Sequence, residues 1–312
     1  MARPSPIAAI VGPTGSGKTE LALALAGRLA VEILVADSRQ VYRGMDIGTA
    51  KPDAAARAAV PHHLIDLVMP GEPFSVAAWA AAARRLVPEI DARGRLPLLV
   101  GGSGLYLAAL LDGYAFGAPP PPGLRGQLQD EMAAAGVGAL ADRLRSIDPS
   151  GAAHTDLRNP RRVERAIERA IAGRGGEGPP SVAWPGSVAV LGISRPNEVL
   201  NRRIDERARW LFANGLLDEV RALLGAGHDP RHAPLTSHGY GEAARYLAGE
   251  WSLDEAVEVT ARRTRQYAKR QRTWFRRDHR VAWLEAGDGA ADDPSLVEAA
   301  ERILLTLRGS AT

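Results

Sequence analysis

Short apolar runs alternate with stretches of helical periodicity along the first half of this chain. Ile7–Val11 (IAAIV) is a β-rich run that stops at glycine, and Glu20–Ala30 then sets leucine and alanine at helical spacing. A second run, Ile33–Ala36, stops at Asp37. Helical spacing over Val76–Ala92 precedes a third run, Leu96–Val100 (LPLLV), which stops at Gly101-Gly102, and a fourth is Val188–Ile193. Wholly apolar short strands alternating with helices predict a parallel sheet covered on both faces, an α/β fold. Two breaker-rich stretches, Gly117–Gly123 and Gly173–Pro180, interrupt the pattern. The segment between them is helical in character, with a helix predicted from Pro160, behind an N-cap Asn159, toward Ala172. The reading is therefore a discontinuous core, 1–120 with 181–312, carrying a helical insertion at 121–180. Beyond Ile193 the pattern predicts helix almost to the end, with a loop over Gly287–Pro294.

Composition changes this picture by exclusion. Hydrophobic residues at 46% and charged residues at 24% are ordinary globular values, and the absence of cysteine removes disulfides, thiolate metal sites and cysteine nucleophiles. The most apolar stretch, Leu98–Leu111, is too short and too glycine-broken to span a bilayer, and the amino terminus lacks a secretory pattern. A cytoplasmic protein with no membrane association is expected. Net charge is +3, but of 39 cations only Lys18, Lys51 and Lys269 are lysine. In a chain that writes arginine so freely, each surviving lysine marks a position where a planar fork does not fit.

Gly12–Thr19 reads GPTGSGKT, a full phosphate-loop motif between a predicted strand and a predicted helix. Gly12, Pro13, Thr14, Gly15, Ser16, Gly17, Lys18 and Thr19 form the candidate anion cradle. The glycines let backbone N–H groups curl around phosphate oxygens, and the helix aims its positive dipole end at them. Lys18 reaches the outer oxygens, and Thr19 offers a hydroxyl to Mg²⁺. The fold class sharpens to a phosphate-loop, NTPase-like core with a helical insertion and a mostly helical carboxyl-terminal part. The motif grips a diphosphate or triphosphate without naming it.

Asp37 stands at the carboxyl end of the second strand, where ligands of open α/β sheets bind. Its carboxylate suits either a Mg²⁺ ligand or a general base. Ser38, Arg39 and Gln40 follow, then a glycine-punctuated polar loop that includes Lys51. Two basic stripes complete the inventory. Arg262, Arg265, Lys269, Arg272 and Arg276 share one helical face, in a segment with nine cations and a single acid, Asp278. Tyr267, Trp274 and Phe275 are interleaved among them. Cations without acids need an external anion, and the aromatics offer stacking surfaces for splayed RNA bases. In the insertion, Arg158, Arg161 or Arg162, Arg165 and Arg169 make a second stripe, where Glu164 and Glu168 provide internal partners. Adjacent His62 and His63 read as structural or turn residues rather than a metal site.

GPTGSGKT, ADSRQVYRGMDIGTAKP, PHHLID, LLVGGSGLY, RRVERAIE and TRQYAKRQRTWFRR occur in this order. Together they resemble the bacterial tRNA dimethylallyltransferases, also called tRNA isopentenyltransferases, of the IPP transferase family. The resemblance runs from Ile7 to about Trp283. It implies transfer of a dimethylallyl group from dimethylallyl diphosphate to N6 of adenine 37 in tRNAs that read U-initial codons. The phosphate loop would then hold the prenyl donor's diphosphate, with Mg²⁺ as cofactor and Thr19 as its protein ligand. Asp37 would be the general base, while Lys18, Thr14 and Arg207 would act on the diphosphate. The resemblance assigns tRNA contacts to Asp37, Ser38, Arg39, Gln40, Ser103 and Arg125. It extends them to Arg161, Arg162, Val163, Glu164 and Arg165, and to Arg265, Gln266, Lys269 and Arg270. The partner would be the anticodon stem-loop of tRNA, clamped by a hinged insertion, with the protein a monomer. The sequence departs from the family pattern at Leu235–Ala243 (LTSHGYGEA), with Ser237-His238 for a small apolar pair and Gly241 for a cation. On the residues alone, a phosphate-loop small-molecule kinase, prenylation of free adenine nucleotide and a non-catalytic RNA-binding ATPase remain the alternatives.

Overall fold

A computed structural model describes residues 3–114, 120–172 and 182–309. The chain divides into two units, Met1–Leu111 with Trp184–Thr312, and Asp112–Ala183. In the first unit the elements run β1 (Ile7–Val11), α1 (Lys18–Ala26), β2 (Val31–Val35), α2 (Ala54–Ala59), β3 (His62–His63), α3 (Val76–Ala92), β4 (Leu96–Gly101) and α4 (Gly104–Leu111). The second unit holds α5 (Leu124–Ile147), α6 (Pro149–Ala153) and α7 (Pro160–Ile171). The first unit resumes with β5 (Val188–Ser194), α8 (Asn197–Ala213), α9 (Leu216–Gly225), α10 (Tyr240–Leu247), α11 (Leu253–Phe275), β6 (Val281–Glu285) and α12 (Pro294–Gly309).

The six strands form one sheet in the order β3-β2-β4-β1-β5-β6, every pair parallel. Strands β1, β2 and β4 are buried along their whole length because helices cover both faces, which is why they read as unbroken apolar runs. One core cluster joins Ile10, Leu21, Leu25, Ile33, Leu98 and Leu191 to Leu304 of α12. A second, around Met45, Leu216, Val220 and Tyr240, lies under the loop that follows Asp37.

Helix α1 begins at Lys18 and stops at Ala26 rather than spanning Glu20–Ala30. Gly17, at φ 100°, turns the chain into the helix, and Leu29 already belongs to the turn into β2. The sequence pattern does not mark the edge strands β3 and β6: β3 is two residues long, and β6 is a five-residue segment in an otherwise helical region. In the insertion unit, Asn159 Oδ1 accepts the Arg162 N–H at 3.3 Å and starts α7 as the sequence predicts. Helix α5 breaks at Gly136, where φ is 74°. Leu128, Leu140, Leu144, Val163 and Ile167 form this unit's own core. Of the breaker-rich stretches, Gly173–Pro180 and residues 117–119 lie outside the described residues, while 120–123 form the irregular lead into α5, with Gly123 at φ 81° as its N-cap.

Candidate active site

The order of the sheet decides which loops meet. The turn after β4 lies between the phosphate loop after β1 and the Asp37 loop after β2, and all three leave the carboxyl ends of their strands. They border a cleft of about 780 Å³, lined among others by Thr14, Lys18, Thr19, Asp37 and Arg207.

The phosphate loop has the backbone its glycines promise, with Gly15 at φ 81° and Gly17 at φ 100°. Ser16 is wholly buried. The Lys18 ammonium donates to the Pro13 carbonyl at 2.8 Å, so it folds back across the loop. Burial pushes Lys18 down to about 8, with Arg207 and Arg39 adding to the shift and Asp37 opposing it. Arg207 projects into the same cleft from α8, where burial pushes it down to about 10, which leaves it charged at neutral pH. It makes no ion pair among the described residues; its helical neighbour Arg203 pairs with Glu20 at 3.1 Å and donates to the Gly15 carbonyl at 3.0 Å. Lys18, Arg39 and Arg207 thus line the place an anion would occupy, with Asp37 beside them.

Asp37 Oδ1 accepts the Arg39 N–H at 2.9 Å, and the Ser38 N–H donates to Ser103 Oγ at 3.1 Å. The Arg39 guanidinium lies 5.7 Å from the centre of the Tyr267 ring, with Nε and Nη1 buried and without a hydrogen-bond partner among the described residues. Gln40 donates to the carbonyls of Thr49 and Ala50 at 3.0 and 3.2 Å, which closes the loop on itself and commits its amide hydrogens there. Glu219 at the start of α9 accepts N–H bonds from Asp46, Ile47 and Gly48 at 2.7–3.2 Å. One carboxylate therefore holds three consecutive peptides of the loop.

Lys51 explains its own survival as lysine. Its side chain is 1% exposed, and its ammonium donates to the Tyr42 carbonyl, Asp46 and Asp66 at 2.5–2.6 Å. Three oxygens converging on one point fit an ammonium and not a fork. Lys51→Met leaves the Tyr42 carbonyl and two carboxylates without this donor and is expected to cost about 2 kcal/mol of stability; urea unfolding of the two proteins measures it. Lys269 departs from the rule, since it is exposed on α11 and nothing in the structure excludes arginine there.

The basic helix differs from the sequence reading in its partners. Arg265 is paired with Asp205 of α8, and Arg263 with Glu242 of α10, because acids distant in sequence reach it. Arg276 lies past the last turn of α11, at its C-cap. Arg262, Lys269, Arg270 and Arg272 have no ion pair among the described residues, and Gln266 is exposed beside them. In the insertion unit, Glu168 is buried and binds both Arg125 and Arg165, at 2.9 and 2.7 Å. The internal-pair reading therefore holds for Arg165, while Arg125, expected at the tRNA, is drawn to the same carboxylate. Val163 is 0% exposed, so its side chain packs in the insertion core rather than facing RNA. Arg161 and Arg162 are exposed, and burial raises the Glu164 carboxyl. His63 binds Glu32 at 2.7 Å and His62 the Val60 carbonyl, the structural role expected of the pair. His238 packs its ring 5.1 Å from Tyr267 and is held neutral by burial and by the surrounding arginines.

Sequence reasoning passed over Gln271, Glu219 and Arg195. Arg195 is 5% exposed and donates from Nε to the Ser16 carbonyl at 2.8 Å, bracing the phosphate loop from behind. Gln271 had a legible signal: it is a polar residue on the inward stripe Ala261, Ala268, Gln271, Phe275.

Fold and site together define a phosphate-loop transferase, with an anion grip and a carboxylate in one cleft. A family model described as IPP transferase matches residues 40–278, and one described as isopentenyl transferase matches residues 5–60. The tRNA dimethylallyltransferase of Syntrophobacter fumaroxidans is 45% identical over 292 residues, 91% of this chain and 84% of that one. That of Geobacter sulfurreducens is 44% identical over 289 residues, 88% of this chain and 90% of its own. The full-length tRNA isopentenylpyrophosphate transferase of Bacillus halodurans superposes with a TM-score of 0.72 at 38% identity, covering 97% of this chain and 96% of that one. The chain belongs to the IPP transferase family, and with it to the prenyltransferases.

Proposed function

We propose that this protein transfers a dimethylallyl group from dimethylallyl diphosphate to N6 of adenine 37 in tRNAs that read U-initial codons. The observation that carries the reading is the shared cleft, with Lys18, Thr19 and Arg207 gathered at the phosphate loop and Asp37 lining the same space. An exocyclic adenine amine is a weak nucleophile, and a fixed carboxylate that removes its proton as the N–C bond forms answers that weakness. As N6 bonds to C1 of the prenyl group, the C1–O bond breaks and its electron pair leaves on diphosphate. Lys18, Arg207 and the loop N–H groups meet that developing charge, and the amine proton goes to Asp37.

Mg²⁺ fits the donor set. Thr19, a hydroxyl-bearing residue, lines the cleft. A cation held by one hydroxyl, diphosphate oxygens and water is the usual phosphate-loop arrangement. Such an ion would supply further neutralisation of the leaving group. The exposed cations of α11, and Arg161 and Arg162 in the insertion unit, each offer contacts to tRNA phosphates. No described helix is long and apolar enough to cross a membrane. We place the protein in the cytoplasm as a monomer.

The test is mass spectrometry of fragments of an unmodified tRNA bearing adenines at 36, 37 and 38, incubated with protein, Mg²⁺ and dimethylallyl diphosphate. A gain of C5H8 confined to adenine 37 is expected. Prenylation of free AMP with the tRNA untouched would instead assign the enzyme to nucleotide substrates. Consumption of ATP without prenyl transfer would return the kinase reading.

A further inference from the structure

Helix α11 carries cations on its outer face, yet the residue between Arg270 and Arg272 points the other way. Gln271 is 5% exposed, and a buried primary amide must find both a donor and an acceptor. It does so across long sequence separations. Its Oε1 accepts the Thr14 N–H of the phosphate loop at 2.8 Å, and its Nε2 donates to the Gly102 carbonyl after β4 at 3.0 Å. The partners fix the amide's orientation, because one is a donor and the other an acceptor. The approach is close enough to account for glycine at 102: a Cβ there would sit 2.0 Å from Gln271 Nε2. The same turn holds the Asp37 loop through Ser103, which accepts the Ser38 N–H at 3.1 Å. Gln271 therefore stands where the phosphate loop, the β4 turn and the Asp37 loop are joined.

We propose that Gln271 is a positioning residue for the diphosphate: it fixes the Thr14 peptide of the anion cradle against the β4 turn. Helix α11 then serves both substrates, its outer face toward RNA and its inner face toward the donor loop. Naming those substrates rests on the proposed function; the positioning itself does not. A hydrocarbon at 271 leaves the buried Gly102 carbonyl without its donor and the half-buried Thr14 N–H without its acceptor. A shorter amide cannot span from one to the other.

The experiment titrates inorganic diphosphate with Mg²⁺ into the full chain by calorimetry and measures, separately, the KM for tRNA. Gln271→Leu is expected to raise the diphosphate Kd about tenfold or more, with a smaller change in the tRNA KM. Gln271→Asn, which keeps the polarity, and Gly102→Ala, which pushes on the same amide from the opposite side, are expected to show the same split and carry the test if the leucine variant does not fold. Lys269→Ala should give the converse, a raised tRNA KM at unchanged diphosphate affinity. A diphosphate Kd that stays at the wild-type value in the Gln271 variants overturns the proposal, whether or not the tRNA KM moves. Wild-type protein that binds diphosphate but leaves tRNA unmodified would refute the proposed function alone, and the variants' diphosphate affinities would still decide the role of Gln271.

Discussion

Replacing Asp37 by alanine is expected to lower kcat for prenyl transfer by about 10²- to 10⁴-fold while tightening the binding of diphosphate. The two effects have opposite signs because the carboxylate plays opposite parts toward the two substrates. Toward adenine N6 it is the group that accepts the proton, and alanine offers no replacement. Toward the diphosphate it is a like charge at the edge of a cationic site, so removing it strengthens the field of Lys18, Arg39 and Arg207. Asp37→Asn should behave as alanine does in kcat, since an amide keeps the hydrogen bond to the Arg39 N–H but cannot take a proton. Single-turnover kinetics with an anticodon stem-loop and calorimetry with diphosphate separate the effects. A variant that loses diphosphate affinity would identify Asp37 as a metal ligand, the other role its strand-end position allows. A kcat near the wild-type value would exclude the general base altogether.

The parts of this molecule that were legible in the sequence are those in which one short segment determines its own structure. Strands β1, β4 and β5 are short apolar runs ended by a turn, and α3 shows its helical period over seventeen residues, so neither needed tertiary context. The phosphate loop is likewise a local object, since its glycines prescribe its backbone. Strand β3 is two residues with half-buried histidines, and β6 places only Val281 and Leu284 inward, so their strand state comes from pairing with β2 and β5. The site divides in the same way. Lys18 and Thr19 follow from a motif, and Asp37 from its place after a strand. The partners of Arg265 and Arg263 come from α8 and α10, which a charge count along one helix cannot supply. Glu219 reads as an ordinary acid in a helix's first turn until the fold brings three loop peptides to it.

Lys18→Met is expected to lower kcat by about 10²- to 10³-fold and, at neutral pH, to stabilise the fold by about 1–2 kcal/mol. The catalytic loss follows from removing the cation that meets the leaving diphosphate. The gain in stability follows from the lowered pKa. Burial, with Arg207 and Arg39 nearby, moves the ammonium from 10.5 to about 8 against the pull of Asp37, so the folded chain holds this proton less tightly than the unfolded one. Between those two values the unfolded state binds more protons, and the linkage relation makes stability rise with pH across that window. Below about pH 8 the full cost of a buried charge is present, and methionine relieves it. Diphosphate supplies the missing counter-charge and raises the lysine's pKa in the complex, so binding takes up a proton. Affinity for diphosphate should therefore be greatest below about pH 8 and fall as pH rises above it, while the methionine variant binds weakly without that fall. Thermal unfolding and diphosphate titrations at pH 7, 8 and 9 test both consequences. A variant that is less stable than wild type at pH 7, or a wild-type affinity that does not decline above pH 8, would mean that Lys18 is not the strained, anion-seeking group its surroundings describe.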